Sequence, residues 1–142
     1  MYVLQEHIVY DIMNVTGGVG ISAQGGPMWQ LELYQTEDGR IPLDEFFDGL
    51  EAKLHAKVLR DIDLLEEFGT ALTMPQARHL DGELWELRTK FSSNISRIIY
   101  FTRSRGRIIL LSGFVKKSQK TPQSEMDRAK RYMEDWKQRN EK

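Results

Sequence analysis

The stretch that decides the fold is Leu84–Val115, LWELRTKFSSNISRIIYFTRSRGRIILLSGFV. It contains three runs rich in β-branched and aromatic residues, at 84–89, 95–102 and 107–115. Turn-forming residues separate these runs, SSN at 92–94 and RSRG at 103–106. Short runs joined by such turns predict an antiparallel meander of three strands. Ile108–Leu111 is apolar at every position, which predicts an interior strand that is buried on both faces.

Helical patterns flank this stretch on both sides. Upstream, apolar residues recur at spacings of three and four over residues 46–68, and Gly69 follows as a C-terminal cap. Gly49 interrupts this long pattern, so we expect a pair of helices rather than one. Downstream, Thr121 and Pro122 predict the start of an amphipathic helix, with Thr121 as the N-cap and Pro122 as the first helical residue.

A further strand precedes the helices. Trp29, Leu31 and Leu33 alternate with polar residues, which is the pattern of a half-buried strand. The resulting order, β-α-α-β-β-β-α, predicts an α+β fold with a small, largely antiparallel sheet and helices packed against it. Residues 1–27 contain no Lys or Arg and end in a glycine-rich stretch. We expect them to be a flexible lead-in, or to precede a native start at Met28, so that residues 28–142 form the domain.

Composition excludes several classes of function. The 142 residues include no cysteine, which excludes disulfides, thiolate catalysis and zinc sites built on sulfur. No apolar run approaches the roughly 20 residues that span a bilayer, so we expect a cytoplasmic protein that does not bind membranes.

The net charge of −1 conceals a strong asymmetry along the chain. Residues 1–84 carry 5 basic and 15 acidic side chains, whereas residues 85–142 carry 15 basic and 6 acidic ones. A basic half of this size favours a polyanion such as RNA as the partner, because binding releases condensed counterions. The alternative is a solvated surface with charges of both signs.

Four segments occur in a fixed order: PLDEFF at 42–47, AKVLRDIDLLEEFG at 56–69, LWELR at 84–88 and GFVKKSQKTP at 113–122. Together they resemble the HigB-type, phage-derived toxins of the RelE/ParE superfamily, over residues 28–136. The resemblance implies a RelE-like fold and the toxin of a type II toxin–antitoxin system. Such a toxin is a ribosome-dependent mRNA endoribonuclease that inhibits translation. Its partners are the ribosome, mRNA and an antitoxin, usually a HigA-like protein with a helix-turn-helix domain.

Cleavage of RNA without a metal proceeds by attack of a ribose 2′-hydroxyl on the adjacent phosphate. This reaction requires a base, an acid for the leaving oxygen, and cations that stabilise the developing charge. The basic half of the chain supplies candidates for these roles. We predict Arg88, Arg97, Lys117 and Lys120 as catalytic residues, and Lys90, Tyr100 and Lys116 as RNA-binding residues.

Both arginines have a structural alternative. Arg88 lies on the strand face opposite Trp85 and Leu87, so we expect its guanidinium to project to an open side and to bind a phosphate. The alternative is an ion pair with an acidic neighbour. Arg97 resembles the arginine that the superfamily places beside the scissile phosphate. It shares its face with apolar residues such as Ile99, so a structural ion pair is the alternative.

The remaining candidates have alternatives of the same kind. Closely spaced cations lower one another's pKa, which favours Lys117 or Lys120 as the base without deciding between them. The alternative is a solvated basic loop that contacts ribosomal RNA. Tyr100 is a candidate for stacking on an unpaired base, and its alternative is a place in the core.

No metal or cofactor is expected. His7, His55 and His79 lie far apart in the sequence, with no pair at the spacing of metal ligands. Two other functions remain open, because one fold can carry several activities. They are a ParE-like toxin that inhibits gyrase and an inactive phage-derived binding protein.

Overall fold

The computed structural model of the chain describes residues 28–141, which form an α+β fold with three helices packed against a five-stranded sheet. In chain order the elements are β1 (Gln30–Leu33), α1 (Pro42–Asp48), α2 (Ala52–Phe68), β2 (Ala77–Asp81), β3 (Leu84–Phe91), β4 (Asn94–Arg103), β5 (Arg107–Lys116) and α3 (Gln123–Asn140). The predicted fold class is confirmed. The predictions made for residues 1–27 lie outside the described residues.

The strands lie in the order β1-β5-β4-β3-β2. As predicted, β3, β4 and β5 form an antiparallel meander, and β1 pairs with β5 in parallel. β5 is therefore an interior strand. Ile108–Leu111 is buried, as its uninterrupted apolar pattern predicted.

Strand β2 is missing from the predicted order, which has a loop in its place. It pairs antiparallel with β3 through a two-residue turn at Gly82 and Glu83. Gly82 has a φ of 57°, in the left-handed region that glycine adopts without steric cost. Glycine at the first position of a two-residue turn is a known hairpin signal, so the sequence did contain information that favours this strand.

Two helices precede the meander, as the break at Gly49 predicted. α1 ends at Asp48 and α2 begins at Ala52. Gly69 caps α2, and its N–H donates to the carbonyl of Leu65. A Cβ atom at Gly69 would lie 1.9 Å from a ring carbon of Trp29, so glycine is required there by packing as well as by its φ of 53°.

The two faces of the sheet are covered by different helices. On one face, α1 and α2 pack on a core that includes Leu87 and Ile98. We call this the hairpin face. On the other face, α3 packs through Ala129 and Trp136 against residues that include Phe101. We call this the C-terminal face.

The start of α3 differs from the prediction. Pro122 occupies the N-cap position, and no side chain caps the helix. Thr121 was predicted to be the cap, but its hydroxyl instead donates to the carboxylate of Glu86, 35 residues away in sequence. Within residues 28–141, no helix combines the length and the apolar character needed to cross a membrane.

Candidate functional site

The register of the meander brings two predicted site residues together on the C-terminal face. Arg88 of β3 lies directly opposite Arg97 of β4. Glu86 precedes Arg88 by two positions and therefore points to the same face. Two like charges directly opposite each other on neighbouring strands are destabilising unless a third group compensates them. Glu86 is that group.

Glu86 is completely buried and is surrounded by cationic and donor groups. Its Oε2 atom lies 3.0 Å from Nη2 of Arg78 and 3.6 Å from Nε of Arg88. Its Oε1 atom lies 3.6 Å from Nε of Arg97 and accepts a 2.6 Å hydrogen bond from the hydroxyl of Thr121. One carboxylate thus balances three arginines, and the group keeps a formal charge of +2. We call these five residues the arginine cluster.

Arg97 has a side-chain exposure of 0%. Burial lowers the pKa of its guanidinium, and the nearby Glu86 carboxylate opposes that shift. Nη2 donates to the carbonyl of Ser118, and the guanidinium carbon lies 5.8 Å from the ring centroid of Phe114. Nε and Nη1 have no hydrogen-bond partner in the part of the chain that the structure describes. The structural ion pair weighed for Arg97 is therefore present, and two of its nitrogens remain without an acceptor.

Arg88 points away from the hairpin face, as the alternation with Trp85 and Leu87 predicted. The expectation that its guanidinium projects to an open side is wrong. Its side chain is only 10% exposed, because the segment after β5 crosses this face. Nη2 of Arg88 donates a 2.7 Å hydrogen bond to Oε1 of Gln119 in that segment.

The predicted lysines lie at the exposed border of the arginine cluster. Lys116 is the last residue of β5 and pairs with Ile95, which in turn pairs with Lys90 of β3. Lys90 and Lys116 thus flank one buried isoleucine on either side. Lys117 and Lys120 lie in the segment 117–120 between β5 and Thr121, and the side chains of all four lysines are exposed. We call this segment the lysine loop.

Contacts tie the lysine loop to the arginines below it. The carbonyl of Ser118 accepts from Arg97, and the side chain of Gln119 accepts from Arg88. Both arginine contacts thus fall between the two lysines predicted to be catalytic. The structure therefore brings the catalytic candidates of the sequence to one place.

Tyr100 does not belong to this site. It points to the hairpin face, where it is 3% exposed within the core under α1 and α2. Burial raises its pKa to about 12. A ring enclosed by core side chains cannot stack on an RNA base, so the predicted RNA-binding role for Tyr100 is wrong and its core alternative is correct.

Three members of the arginine cluster were not predicted as site residues: Glu86, Arg78 and Thr121. The alternation of β3 could have revealed Glu86, because Leu84, Glu86 and Arg88 must share a face. Arg78 could not be found without strand β2, which places it opposite Glu86. For Thr121, the local helix-start signal pointed to a different role.

The described residues contain no group of three or more His, Asp or Glu side chains that could hold a metal ion. His55 stacks on Phe47, and the ring of His79 lies beside Trp85 and forms a hydrogen bond with the carbonyl of Gly82. His7 lies outside the described residues. The donors near the arginine cluster are cationic, and such donors bind phosphate oxygens rather than metals.

Comparison with known proteins gives one family. The family model described as "Phage derived protein Gp49-like (DUF891)" matches residues 45–134, from within α1 to within α3. The match therefore includes the whole arginine cluster and the lysine loop. No curated protein matches the chain.

Proposed function

The chain belongs to the family of phage-derived Gp49-like proteins, part of the RelE/HigB toxin-like group, and we propose that it is a toxin that cleaves messenger RNA on the ribosome. The observation that carries this proposal is the arginine cluster beneath the lysine loop. Two arginines there have buried N–H groups with no acceptor among residues 28–141, on Nε of Arg88 and on Nε and Nη1 of Arg97. A phosphate is a natural partner for this excess of positive charge, since guanidinium donors match its geometry, and the partly exposed Arg88 can reach it.

In the proposed reaction, Arg88 holds the scissile phosphate, and the buried guanidinium of Arg97 on the neighbouring strand stabilises the negative charge of the transition state without contacting the RNA. The adjacent ribose 2′-oxygen forms a new bond to phosphorus, and the bond from phosphorus to the 5′-oxygen breaks. Lys117 or Lys120 accepts the proton of the 2′-hydroxyl, and a second cationic group of the loop returns a proton to the leaving 5′-oxygen. The products are a 2′,3′-cyclic phosphate and a 5′-hydroxyl. Lys90 and Lys116 bind flanking phosphates.

An ordinary lysine side chain is mostly protonated at neutral pH, so it is a poor general base and cleavage depends strongly on alignment of the nucleophile. We therefore expect the ribosome to supply this alignment, a contribution that reaches roughly 7–11 kcal/mol in favourable intramolecular reactions. A toxin of this group also requires a protein antitoxin, for which a HigA-like helix-turn-helix protein is the expected partner. Its place of action is the cytoplasm, where ribosomes and mRNA are found.

The test is primer extension with end-group analysis on mRNA, with and without ribosomes. The wild-type protein should give fragments with 5′-hydroxyl ends, and cutting should depend on ribosomes. Arg88→Ala should lower cleavage by about 100-fold, which is typical for removal of one charge-stabilising donor. The fold should persist, because Glu86 keeps Arg78, Arg97 and Thr121 as partners.

Arg60→Ala is the matched control, since Arg60 is an exposed arginine on α2 at the opposite side of the sheet. It should cleave at the wild-type rate. Fragments with a 5′-phosphate, or full cleavage by a folded Arg88→Ala variant, would contradict the proposal. Absence of cleavage together with altered DNA supercoiling would instead support a gyrase-inhibiting toxin.

A further inference from the structure

A buried carboxylate is an unexpected feature in a site for a polyanion. Its negative charge repels a phosphate, and its burial carries a large desolvation cost unless cations and hydrogen bonds compensate it. In this protein three arginines balance the charge of Glu86 and the hydroxyl of Thr121 donates to its Oε1 atom, whereas Oε2 accepts no hydrogen bond from the described residues. The cluster stays at +2, so it still attracts a phosphate.

The distances from Glu86 show which arginines it leaves available. Arg78 approaches the carboxylate to 3.0 Å, whereas Arg88 and Arg97 remain at 3.6 Å. An arginine nitrogen 3.6 Å from a carboxylate oxygen is still attracted to its charge, but the distance is too long for a hydrogen bond. Glu86 therefore neutralises part of the repulsion between Arg88 and Arg97 without occupying their Nε–H groups, which have no other partner among the described residues.

Glu86 also determines where the lysine loop lies. Thr121 follows the loop directly, is buried, and donates its hydroxyl to Glu86 at 2.6 Å. The other end of the loop is fixed by the pairing of Lys116 with Ile95. The four loop residues between these two points are thus held at both ends on the C-terminal face.

From these contacts we infer that Glu86 is a positioning residue of the RNA-cleaving site, one that never contacts RNA itself. It sets the separation of the guanidinium groups of Arg88 and Arg97. Through Thr121 it also sets the position of the lysine loop relative to them. This inference rests on the proposed function. It adds Glu86 and Thr121 as the residues that align the two arginines with the base.

The test separates alignment from binding. Glu86→Gln keeps the volume and an oxygen that accepts from Thr121, but it raises the formal charge of the cluster from +2 to +3. Per folded molecule, kcat should fall about 10- to 100-fold, as a misplacement of about 1 Å does. KM should not rise, because the added positive charge favours RNA. Unchanged kcat per folded molecule would overturn the role in alignment.

Thr121 provides a second pair of variants that leaves the buried charges in place. Thr121→Val removes the hydroxyl at nearly constant volume and should lower kcat, whereas Thr121→Ser should retain wild-type kcat. Amide hydrogen exchange at residues 117–121, measured by NMR, should be faster in Thr121→Val than in wild type and unchanged in Thr121→Ser. A merely structural role would give the two variants equal kcat and equal exchange.

The exchange measurement does not depend on cleavage, so the two proposals can fail separately. If wild-type protein cuts no mRNA, the proposed function fails, while accelerated exchange in Thr121→Val still supports the anchoring of the loop. If cleavage is confirmed and neither exchange nor kcat responds to Thr121→Val, the inference about Glu86 fails alone.

Discussion

The two faces of the sheet bury different kinds of side chain. The hairpin face holds an apolar core, in which Ile98 and Leu87 pack under the two helices, and its buried polar side chains are Asp61, Glu66, Thr89 and Ser96 among the described residues. Its buried hydrogen bond, from Thr89 to Asp61 at 2.7 Å, is a simple pair. The C-terminal face also has an apolar part around α3, but next to it lies the arginine cluster, with completely buried side chains of both charges.

This difference indicates what each face does. An apolar core of similar volume would stabilise the C-terminal face at least as well as a buried ion-pair network, since desolvation offsets most of the Coulomb attraction. Stability therefore does not explain the arginine cluster. The hairpin face mainly holds the fold together. On the proposed function, the C-terminal face carries the chemistry at some cost in stability.

The largest effect expected from this comparison concerns Ile98. Ile98→Ala should lower the free energy of unfolding by about 2–5 kcal/mol, because it removes three carbons from a fully packed position. Cleavage per folded molecule should stay at the wild-type value, although Ile98 is adjacent in sequence to Arg97. Denaturant titration measures the first quantity, and cleavage corrected for the folded fraction measures the second.

Ile98→Val is the graded control and should cost about 0.5–1.5 kcal/mol. The separation of roles between the two faces would be contradicted if Ile98→Ala reduced cleavage per folded molecule by tenfold or more. In that case the two faces would be coupled through β4.

A smaller effect, on cleavage rather than on stability, is expected at Lys117. Lys117→Ala should lower cleavage about 10- to 100-fold, since a hydrogen bond to a charged group contributes about 1.5–3 kcal/mol. The free energy of unfolding of Lys117→Ala should equal that of wild type, because the side chain is exposed. Lys53→Ala, an exposed lysine at the start of α2, is the control and should cleave normally. Equal cleavage by Lys117→Ala and wild type would leave Lys120 as the candidate base.

The sequence contained most of the fold because its signals are local. Gly49, Gly69 and the turns of the meander each act within a few residues of their own position. The site was predicted less completely, because it depends on contacts across the chain. Alternation placed Arg88 on the correct face, but no local pattern shows that Gln119, 31 residues later, covers it.

Thr121 illustrates the same limit in a single residue. A threonine directly before proline is a strong local signal for a helix N-cap. In the folded chain, however, a buried carboxylate competes for its hydroxyl and wins, because an unpaired buried carboxylate costs more than an uncapped helix. The local signal located the helix within two residues, since α3 begins at Gln123, but it did not reveal the long-range contact.

The smallest effect at neutral pH is expected at Tyr100, which the sequence suggested as a base-stacking residue and the structure places in the hairpin face. Tyr100→Phe should leave cleavage unchanged, because the ring stays in the core and the hydroxyl is remote from the arginine cluster. A tenfold loss of cleavage would contradict this placement.

A difference in stability between Tyr100→Phe and wild type should appear only in alkali. The pKa of Tyr100 is raised by burial from 10.0 in the unfolded chain to about 12 in the folded protein. Above pH 10 the unfolded chain therefore loses this proton while the folded chain keeps it. The stability contributed by the neutral phenol is complete below pH 10 and falls by up to about 3 kcal/mol as the pH approaches 12. Tyr34 titrates in a similar range in both proteins, so its contribution cancels in the comparison. Denaturant titrations between pH 8 and about 11.5 should therefore show a shallower loss of stability for Tyr100→Phe than for wild type, and parallel curves would show that the Tyr100 hydroxyl is solvated rather than buried.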